Sequence, residues 1–180
     1  EGDDNLSGGQ GSDTVSGDVG ADVIAGDDGN DLLNGDDGND TITGGNGADT
    51  VNGGNGADYI NGNNGNDSII GGCGGDRLTG SNGNDTFVYR AVADPNSAQF
   101  DIITDFASGS DRINLAAFGA LAFMALAPTA TSVPPQTVAW IYDSENNRVI
   151  VYVNQTDQTL DIGHPALLEV HLQGVASVQE

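Results

Sequence analysis

Aspartate recurs at every ninth residue through the first half of the sequence, and this regular spacing is the feature best able to do chemistry. The ten aspartates of the series are Asp4, Asp13, Asp22, Asp31, Asp40, Asp49, Asp58, Asp67, Asp76 and Asp85. Carboxylate oxygens without accompanying His or thiolate ligands select a hard cation. A flexible ring of about six to eight oxygens suits Ca²⁺ better than Mg²⁺, so the series predicts several Ca²⁺ sites.

Glycine accompanies each aspartate at fixed distances. A nine-residue unit, G-x-x-G-x-D-x-U-x with U a large apolar residue, runs unbroken over residues 8–88 after a partial unit over residues 1–7. Glycine at positions 1 and 4 permits a positive φ and close backbone approach, so the start of the unit can form a tight turn whose carbonyls point inward. The turn glycines expected to contribute carbonyl ligands are Gly8, Gly11, Gly17, Gly20, Gly26, Gly29, Gly35, Gly38, Gly44, Gly47, Gly53, Gly56, Gly62, Gly65, Gly71, Gly74, Gly80 and Gly83.

Short strands must hold these turns in place, and they are predicted from position 8, which is apolar in every unit. The segment x-U-x predicts one short strand whose central side chain faces inward. Because each turn reverses the chain, two nonapeptides close one coil of 18 residues. The sequence therefore predicts an all-β protein: a right-handed parallel β-roll, a solenoid of two facing sheets, capped by C-terminal antiparallel strands.

Turns on the same edge of this roll are 18 residues apart, which divides the aspartates into two ladders. One ladder contains Asp13, Asp31, Asp49, Asp67 and Asp85, and the other contains Asp4, Asp22, Asp40, Asp58 and Asp76. Each gap between neighbouring rungs is a candidate site, which gives up to eight Ca²⁺ ions. Without a cation the stacked carboxylates repel one another, so we expect the repeats to be disordered without Ca²⁺ and to fold as they bind it.

Composition divides the 180-residue chain into a repeat region, 1–90, and a C-terminal capping region, 91–180; the first holds 24 of the 28 glycines and no proline. The 27 acidic residues face four arginines and no lysine, giving a net charge of −23. This balance excludes a nucleic-acid binder, because Lys and Arg hold the phosphate backbone.

The longest apolar run, residues 115–127, is too short to span a membrane. The single cysteine, Cys73, cannot form an intrachain disulfide.

The sequence of the C-terminal region predicts three strands and one helix outside the nine-residue repeat. Two alternating runs, residues 137–142 and Arg148–Asn154, flank a turn-rich segment and predict an antiparallel hairpin. A further strand is expected over residues 167–172, and the Ala-rich residues 115–127 predict a helix. These strands are expected to cap the open end of the roll, as solenoids require.

One segment of this region resembles a degenerate repeat. Gly109, Asp111 and Ile113 occupy positions 4, 6 and 8 of such a unit. Asp111 is then either an additional metal ligand or a solvated turn residue.

The sequence contains no catalytic constellation. HExxH, G-x-S-x-G and G-x-G-x-x-G are absent, and His164 and His171 have no acidic residue between them except Glu169, which gives no zinc site. Carboxylate pairs such as Asp27-Asp28 are interpreted as turn residues near metal. The sequence therefore predicts a non-catalytic module, whose parent protein would carry its enzymatic activity upstream.

The nonapeptides resemble the repeats-in-toxin (RTX) family, whose pattern G-G-x-G-x-D-x-U-x binds Ca²⁺ in a parallel β-roll. Residues 44–52 and 53–61 match the pattern fully, whereas position 2 departs from Gly in five units, at Asp18, Asp27, Asp36, Asn63 and Ser81. The resemblance implies Ca²⁺ ligation by the carboxylate of position 6 and by carbonyls of the preceding turn.

The tract D-x-I-T-D-F-x-x-G-x-D-R-I-N-L, the predicted hairpin and the final L-E-V-H-L segment resemble the C-terminal domain of serralysin-type secreted metalloproteases. Related regions follow RTX repeats in mannuronan C5-epimerases and in some bacterial lipases and glycanases. The resemblance implies an extracellular bacterial protein exported by a type I system that reads an uncleaved C-terminal signal. No N-terminal export signal is visible, and residues 175–180 lack the expected acidic-then-apolar terminus, which indicates a truncated signal.

Two further functions follow from other analogies. The resemblance to epimerase modules makes polysaccharide binding the alternative function, although an acidic surface without a basic stripe would repel anionic uronates. An ice-binding or adhesive solenoid would need a regular Thr array, and position 7 does not supply one.

Overall fold

The computed structural model describes residues 1–91, 99–173 and 175, and these residues are almost entirely β-structure. The strands are β1 (Asn5–Gln10), β2 (Thr14–Ser16), β3 (Val23–Asp28), β4 (Leu32–Asp37), β5 (Thr41–Asn46), β6 (Thr50–Asn55), β7 (Tyr59–Asn64), β8 (Ser68–Cys73), β9 (Arg77–Thr79), β10 (Thr86–Val88), β11 (Asp101–Ile103), β12 (Arg112–Asn114), β13 (Ala122–Ala125), β14 (Ser132–Val133), β15 (Thr137–Asp143), β16 (Arg148–Asn154), β17 (Leu160–Asp161) and β18 (Leu168–Gln173). A 3₁₀ helix covers Ala116–Phe118.

Successive strands of the repeat region alternate between two sheets. The longer sheet has the order β1-β3-β5-β7-β9-β11-β18-β16-β15-β13, and the shorter has the order β12-β10-β8-β6-β4-β2. Neighbouring repeat strands are parallel and pair at a register of 18 residues, as Thr41 does with Tyr59. The prediction of an all-β roll with two facing sheets is confirmed.

The core of the roll consists of the apolar side chains at position 8. Ile24, Leu33, Ile42, Val51, Ile60, Ile69, Leu78 and Phe87 are at most 1% exposed and belong to one cluster. Because consecutive nonapeptides contribute to opposite sheets, these side chains fill the space between the sheets from both sides. Because these position 8 side chains are buried between the sheets, every turn lies on one of the two edges of the roll.

The inner repeat strands are longer than the sequence pattern predicts. β3 to β8 each contain six residues, from position 7 of one unit to position 3 of the next. Positions 2 and 3 remain in the parallel ladder, as the pairing of Asn46 with Asn64 shows, although the backbone at position 2 has a positive φ. The chain leaves the ladder at positions 4 to 6.

The C-terminal region extends the longer sheet beyond the end of the shorter one. β15 and β16 form the predicted antiparallel hairpin, with Asp143 opposite Arg148. β18 pairs antiparallel with β16 and parallel with β11, so the predicted strand near residues 167–172 joins the hairpin to the roll. Val149, Leu168 and Val170 belong to the same apolar cluster as the repeat core, which makes the core continuous across residue 90.

The predicted helix over residues 115–127 is wrong. Only Ala116–Phe118 forms a short 3₁₀ helix, and Gly119, with φ of 75°, ends it. Residues Ala122–Ala125 instead form β13, which pairs parallel with β15 at the edge of the longer sheet. Helix propensity is a weak prior, and here pairing with an available sheet edge prevails over it.

Candidate metal centre

The aspartates at position 6 form a continuous hydrogen-bonded ladder along each edge of the roll. On one edge the backbone N–H of Asp22 donates to Oδ1 of Asp40 at 2.8 Å, and the N–H of Asp40 donates to Oδ1 of Asp58 at 2.9 Å. On the other edge, Asp31 donates in the same way to Asp49 at 2.8 Å. Each carboxylate therefore joins two coils, which gives a physical reason for aspartate at position 6 of every unit.

The second oxygen of these carboxylates is buried without a hydrogen-bond partner among the described residues. This holds for Oδ2 of Asp13, Asp22, Asp31, Asp40, Asp49, Asp58, Asp67 and Asp85. The last seven of these residues are at most 3% exposed. A buried charged oxygen without compensation is strongly destabilising, so each Oδ2 requires a positively charged partner or a proton.

Carbonyl oxygens converge on the same space as these orphaned carboxylate oxygens. A Cβ atom placed on Gly44 would lie 2.5 Å from Oδ2 of Asp49 and 2.7 Å from the carbonyl oxygen of Gly62. The space that glycine leaves open at position 1 is therefore lined by a carboxylate of the same turn and a carbonyl of the next coil. Oxygen ligands of these two kinds suit Ca²⁺, and the donor set fits the predicted ion.

Positive φ angles occur at positions 2 and 4 of the turn, whereas the sequence analysis expected them at positions 1 and 4. At position 4, Gly47 has φ of 127°, and a Cβ there would collide with the carbonyl oxygen of Gly29. At position 2, Asp27 and Asn63 have φ of 73° and 70°, in the left-handed region that Asp and Asn tolerate better than most residues. Position 2 can therefore vary. Position 1 is glycine because a Cβ would fill the space beside the carboxylate, and position 4 is glycine both because a Cβ would collide with the neighbouring coil and because its φ is positive.

Burial of the carboxylates disfavours their charged form. Desolvation, together with the charge of neighbouring carboxylates, raises the pKa of Asp58 to about 7 and that of Asp67 to about 6. The pKa values of Asp40, Asp49 and Asp85 are raised by the same burial. Backbone N–H donors oppose these shifts in every case, but burial prevails. These five carboxylates thus bind protons more readily than a free aspartate does when no cation is present.

The structure places the remaining sequence-predicted residues at the ends of the ladders. Asp4 is exposed, and its N–H donates to Oδ1 of Asp22 at 2.7 Å. Asp111 extends the other ladder, since its Oδ1 accepts from the N–H of Asp85 at 3.1 Å. Its Oδ2 accepts from the N–H of Ala107 at 2.8 Å, so Asp111 lacks the orphaned oxygen of the inner rungs.

Asp101 is a rung that the sequence analysis missed. Its Oδ1 accepts from the N–H of Asp76 at 2.9 Å, and the side chain is fully buried. The two residues are 25 positions apart instead of 18, because the chain inserts residues between the last repeat and β11. The available signal was the pattern Asp101-x-Ile103, in which Ile103 pairs with Leu78 of the repeat core.

Other residues considered in the sequence give no second site. Among the described residues, no group of three or more His, Cys, Asp or Glu side chains is arranged to hold a metal ion. Arg148 donates to Nδ1 of His171 at 2.9 Å, so Nε2 of His171 donates to Glu169 at 2.7 Å. His171 is thus a buried structural residue. Cys73 is exposed and forms no disulfide with any described residue.

An apolar groove of about 640 Å³ lies where the longer sheet extends past β12. Its lining includes Phe106, Phe123, Trp140 and Val151 and contains no titratable side chain, so it adds no ligand to the metal centre. No helix formed by the described residues has the length and apolar character to cross a membrane.

Comparison with known proteins gives one family. The family model described as "Peptidase M10 serralysin C terminal" matches residues 4–178. Among solved structures, the chain is similar to the AlgE6R2 subunit of the Azotobacter vinelandii mannuronan C5-epimerase, with 28% identity, coverage of 85% of this chain and 84% of that chain, and a TM-score of 0.48. The AlgE6R3 subunit of the same enzyme is 25% identical, with coverage of 97% and 72% and a TM-score of 0.37. No curated protein sequence matches the chain.

Proposed function

The chain belongs to the family of serralysin C-terminal domains, a non-catalytic β-roll region of secreted proteins, and from this premise we propose that it is a module that binds Ca²⁺ and folds in doing so. The observation that carries the proposal is the row of buried, orphaned Oδ2 atoms facing turn carbonyls. The bound ions would supply the positive charge that these oxygens require. The proposed ligands are the position 6 carboxylates and the carbonyls of the turn glycines.

The ladders explain why binding and folding would be coupled. Each carboxylate accepts a backbone N–H of one coil while its second oxygen faces a carbonyl of another. No single turn contains this arrangement, because it exists only when coils are stacked. A chain that has not stacked therefore offers no complete site, and the free energy of ion binding becomes free energy of folding.

Limited digestion with trypsin tests the coupling at defined positions. The enzyme cleaves after Arg, and Arg77 lies on β9 in the repeat region while Arg148 begins β16 in the C-terminal region. We expect cleavage after Arg77 to be fast in chelator and slow in Ca²⁺. Equal cleavage after Arg77 in both conditions would contradict the proposal, and the rate after Arg148 reports separately whether the C-terminal region needs the ion.

Folding on Ca²⁺ suits a protein that is exported as an unfolded chain, and we propose that this module supports type I export and extracellular folding of an upstream parent domain in a bacterium. Ca²⁺ sites of extracellular modules have Kd values of about 10⁻⁴–10⁻³ M, so the module would stay unfolded where free Ca²⁺ is scarce. Secretion of the parent from exporter-bearing cells tests this role. A variant with several rungs changed from Asp to Ala should be secreted without folding, and its secretion in folded, active form would contradict the role.

Binding of an anionic polysaccharide remains a prediction from the resemblance to epimerase modules. The exposed polar groove across β1, β3, β5 and β7 is lined partly by Asp27 and Asp28, which would repel uronates. The parent enzyme, whether metalloprotease, epimerase, lipase or glycanase, is likewise a prediction. We therefore propose Ca²⁺-dependent folding and support of export, and not polysaccharide binding, as the function of the module.

A further inference from the structure

Four turns of the roll contain the dipeptide Asn-Gly at positions 3 and 4. These pairs are Asn46-Gly47, Asn55-Gly56, Asn64-Gly65 and Asn82-Gly83. In such a pair the backbone nitrogen of glycine can attack the side-chain carbonyl carbon of asparagine, since glycine has no side chain to obstruct the approach. Each pair is therefore chemically able to lose its amide.

Three of these pairs are held in a way that opposes the reaction. The N–H of Gly47 donates to the carbonyl of Asn64 at 2.8 Å, and the N–H of Gly65 donates to the carbonyl of Asn82 at 2.9 Å. The N–H of Gly56 donates to Cys73 in the same way at 2.8 Å. A nitrogen held in a hydrogen bond between coils cannot readily lose its proton or turn toward the neighbouring side chain, and all three glycines are half-buried.

The fourth pair lacks this restraint. Among the described residues, no acceptor receives the N–H of Gly83, and both Asn82 and Gly83 are exposed. The cause is the departure from the 18-residue repeat in the following coil. Instead of a carbonyl beside Gly83, that coil presents the carboxylate of Asp105, which accepts from the N–H groups of Gly80 and Ser81 at 3.1 and 2.7 Å.

We propose that, of these four asparagines, Asn82 is the one that deamidates spontaneously in the folded roll, and that Asn46, Asn55 and Asn64 react only when the roll unfolds. The Gly83 nitrogen loses its proton and forms a bond to Cγ of Asn82, and the Cγ–Nδ2 bond breaks as ammonia leaves with that proton. Water then opens the resulting succinimide to aspartate or isoaspartate. The net change consumes one water and releases one ammonia.

The modification would weaken the last coil of the roll. Nδ2 of Asn82 donates to Oδ1 of Asn64 at 2.9 Å, and a carboxylate at residue 82 would replace this hydrogen bond with two facing acceptors. Isoaspartate would also lengthen the main chain between the N–H of Asn82, which donates to Asn63 at 2.8 Å, and the carbonyl that accepts from Gly65. The same turn leads to Asp85, so deamidation should reduce Ca²⁺ binding at that rung.

Peptide mapping by mass spectrometry of the full chain, aged in mildly alkaline buffer with Ca²⁺ or with chelator, tests the inference. The contrast between the two conditions rests on the proposed function, whereas the ranking of sites within the folded chain does not. In Ca²⁺ we expect Asn82 to deamidate several-fold faster than Asn64, and in chelator we expect the four sites to react at similar rates. Circular dichroism of both samples reports separately whether folding depends on Ca²⁺.

Two results would overturn the inference. One is deamidation of Asn64 as fast as that of Asn82 in the folded chain, and the other is a stable Asn82 over the period in which it reacts in chelator. Asn82→Gln, which retains the amide but closes a ring far less readily, should remove the acidic species that ion exchange separates from the aged Ca²⁺ sample. The matched variant Asn64→Gln should leave that species in place.

Discussion

The backbone N–H of Asp40 donates to Oδ1 of Asp58, 18 residues later, at 2.9 Å, while Oδ2 of Asp58 is buried without a hydrogen-bond partner among the described residues. The two oxygen atoms of this carboxylate thus have different roles. Oδ1 joins consecutive coils, and Oδ2 faces the space where the carbonyls of the turns converge. Ion binding and coil stacking are therefore carried by the same side chain.

Replacement of Asp58 by Asn separates these two roles. Asp58→Asn keeps an oxygen to accept the N–H of Asp40 but removes the negative charge at Oδ2. Because the charge of the ligands sets Ca²⁺ affinity, we expect Ca²⁺ binding to weaken about tenfold or more, equivalent to about 1.4 kcal/mol. Isothermal titration calorimetry measures the change. Asp161→Asn, at an exposed position on β17, is the control, and an equal loss in both variants would contradict the assignment.

The position 4 glycines are required for stacking. Gly38 has φ of 152°, and a Cβ there would collide with the carbonyl oxygen of Gly20. We expect Gly38→Ala to reduce the free energy of unfolding in Ca²⁺ by several kcal/mol. The backbones of the two coils must move apart to admit the Cβ, and a non-glycine residue at this positive φ adds a strain of about 1–3 kcal/mol. Urea unfolding measures this. Gly109→Ala, where a Cβ meets nothing within 4 Å, should change stability little, and similar losses in both would argue against close coil contact.

The position 8 side chains stabilise the roll by filling the space between the sheets. Ile60 is fully buried, whereas Val23 on the outer face of β3 is 47% exposed. Ile60→Ala should therefore cost about 2–5 kcal/mol in Ca²⁺, while Val23→Ala should cost much less. Thermal unfolding of the two variants gives the comparison. A tolerated Ile60→Ala would show that the core is not packed as described.

Protons should compete with Ca²⁺ for the ladders. The pKa of Asp58 is raised from 3.8 to about 7 and that of Asp67 to about 6, so the ion-free folded state binds more protons than the unfolded chain between these values. The contribution of these two carboxyl groups to its stability is then fully present below pH 3.8 and is lost as the pH rises through 6 to 7. We expect β-structure in chelator to increase on acidification and Ca²⁺ binding near pH 6 to release protons.

Circular dichroism in chelator across this pH range tests the first part, and calorimetry in buffers of different ionisation enthalpy tests the second. A chelated chain that loses β-structure on acidification from pH 7 would contradict the prediction. Asp58→Asn should shift the pH dependence, because it removes one of the groups that titrate.

The repeat could be predicted from the sequence because every coil packs in the same way and therefore needs the same residue types at the same positions. An apolar position 8, glycine at positions 1 and 4 and aspartate at position 6 each have a separate physical reason, and all of them fix the same 18-residue register. The division of the aspartates into two ladders follows from that register alone. The positions with a positive φ could not be predicted from the sequence. A glycine in the sequence does not reveal whether it is needed for its φ or for the space beside it.

Prediction was weaker where the repeat ends. Asp101 continues a ladder, yet an insertion places it 25 residues after Asp76, and no count of nine can find it. Residues Ala122–Ala125 form an edge strand in place of a helix because β15 offers a partner. Local sequence does not contain that information, since β15 lies beyond three prolines in the chain.

The most direct test of the central claim is a Ca²⁺ titration of this chain followed by far-ultraviolet circular dichroism, with Mg²⁺ as the control. The orphaned carboxylate oxygens face turn carbonyls, and this donor set suits Ca²⁺ better than Mg²⁺. We therefore expect a cooperative gain of β-structure in Ca²⁺ and none in Mg²⁺. A chain with the same β-signal in chelator, Mg²⁺ and Ca²⁺ would contradict the account.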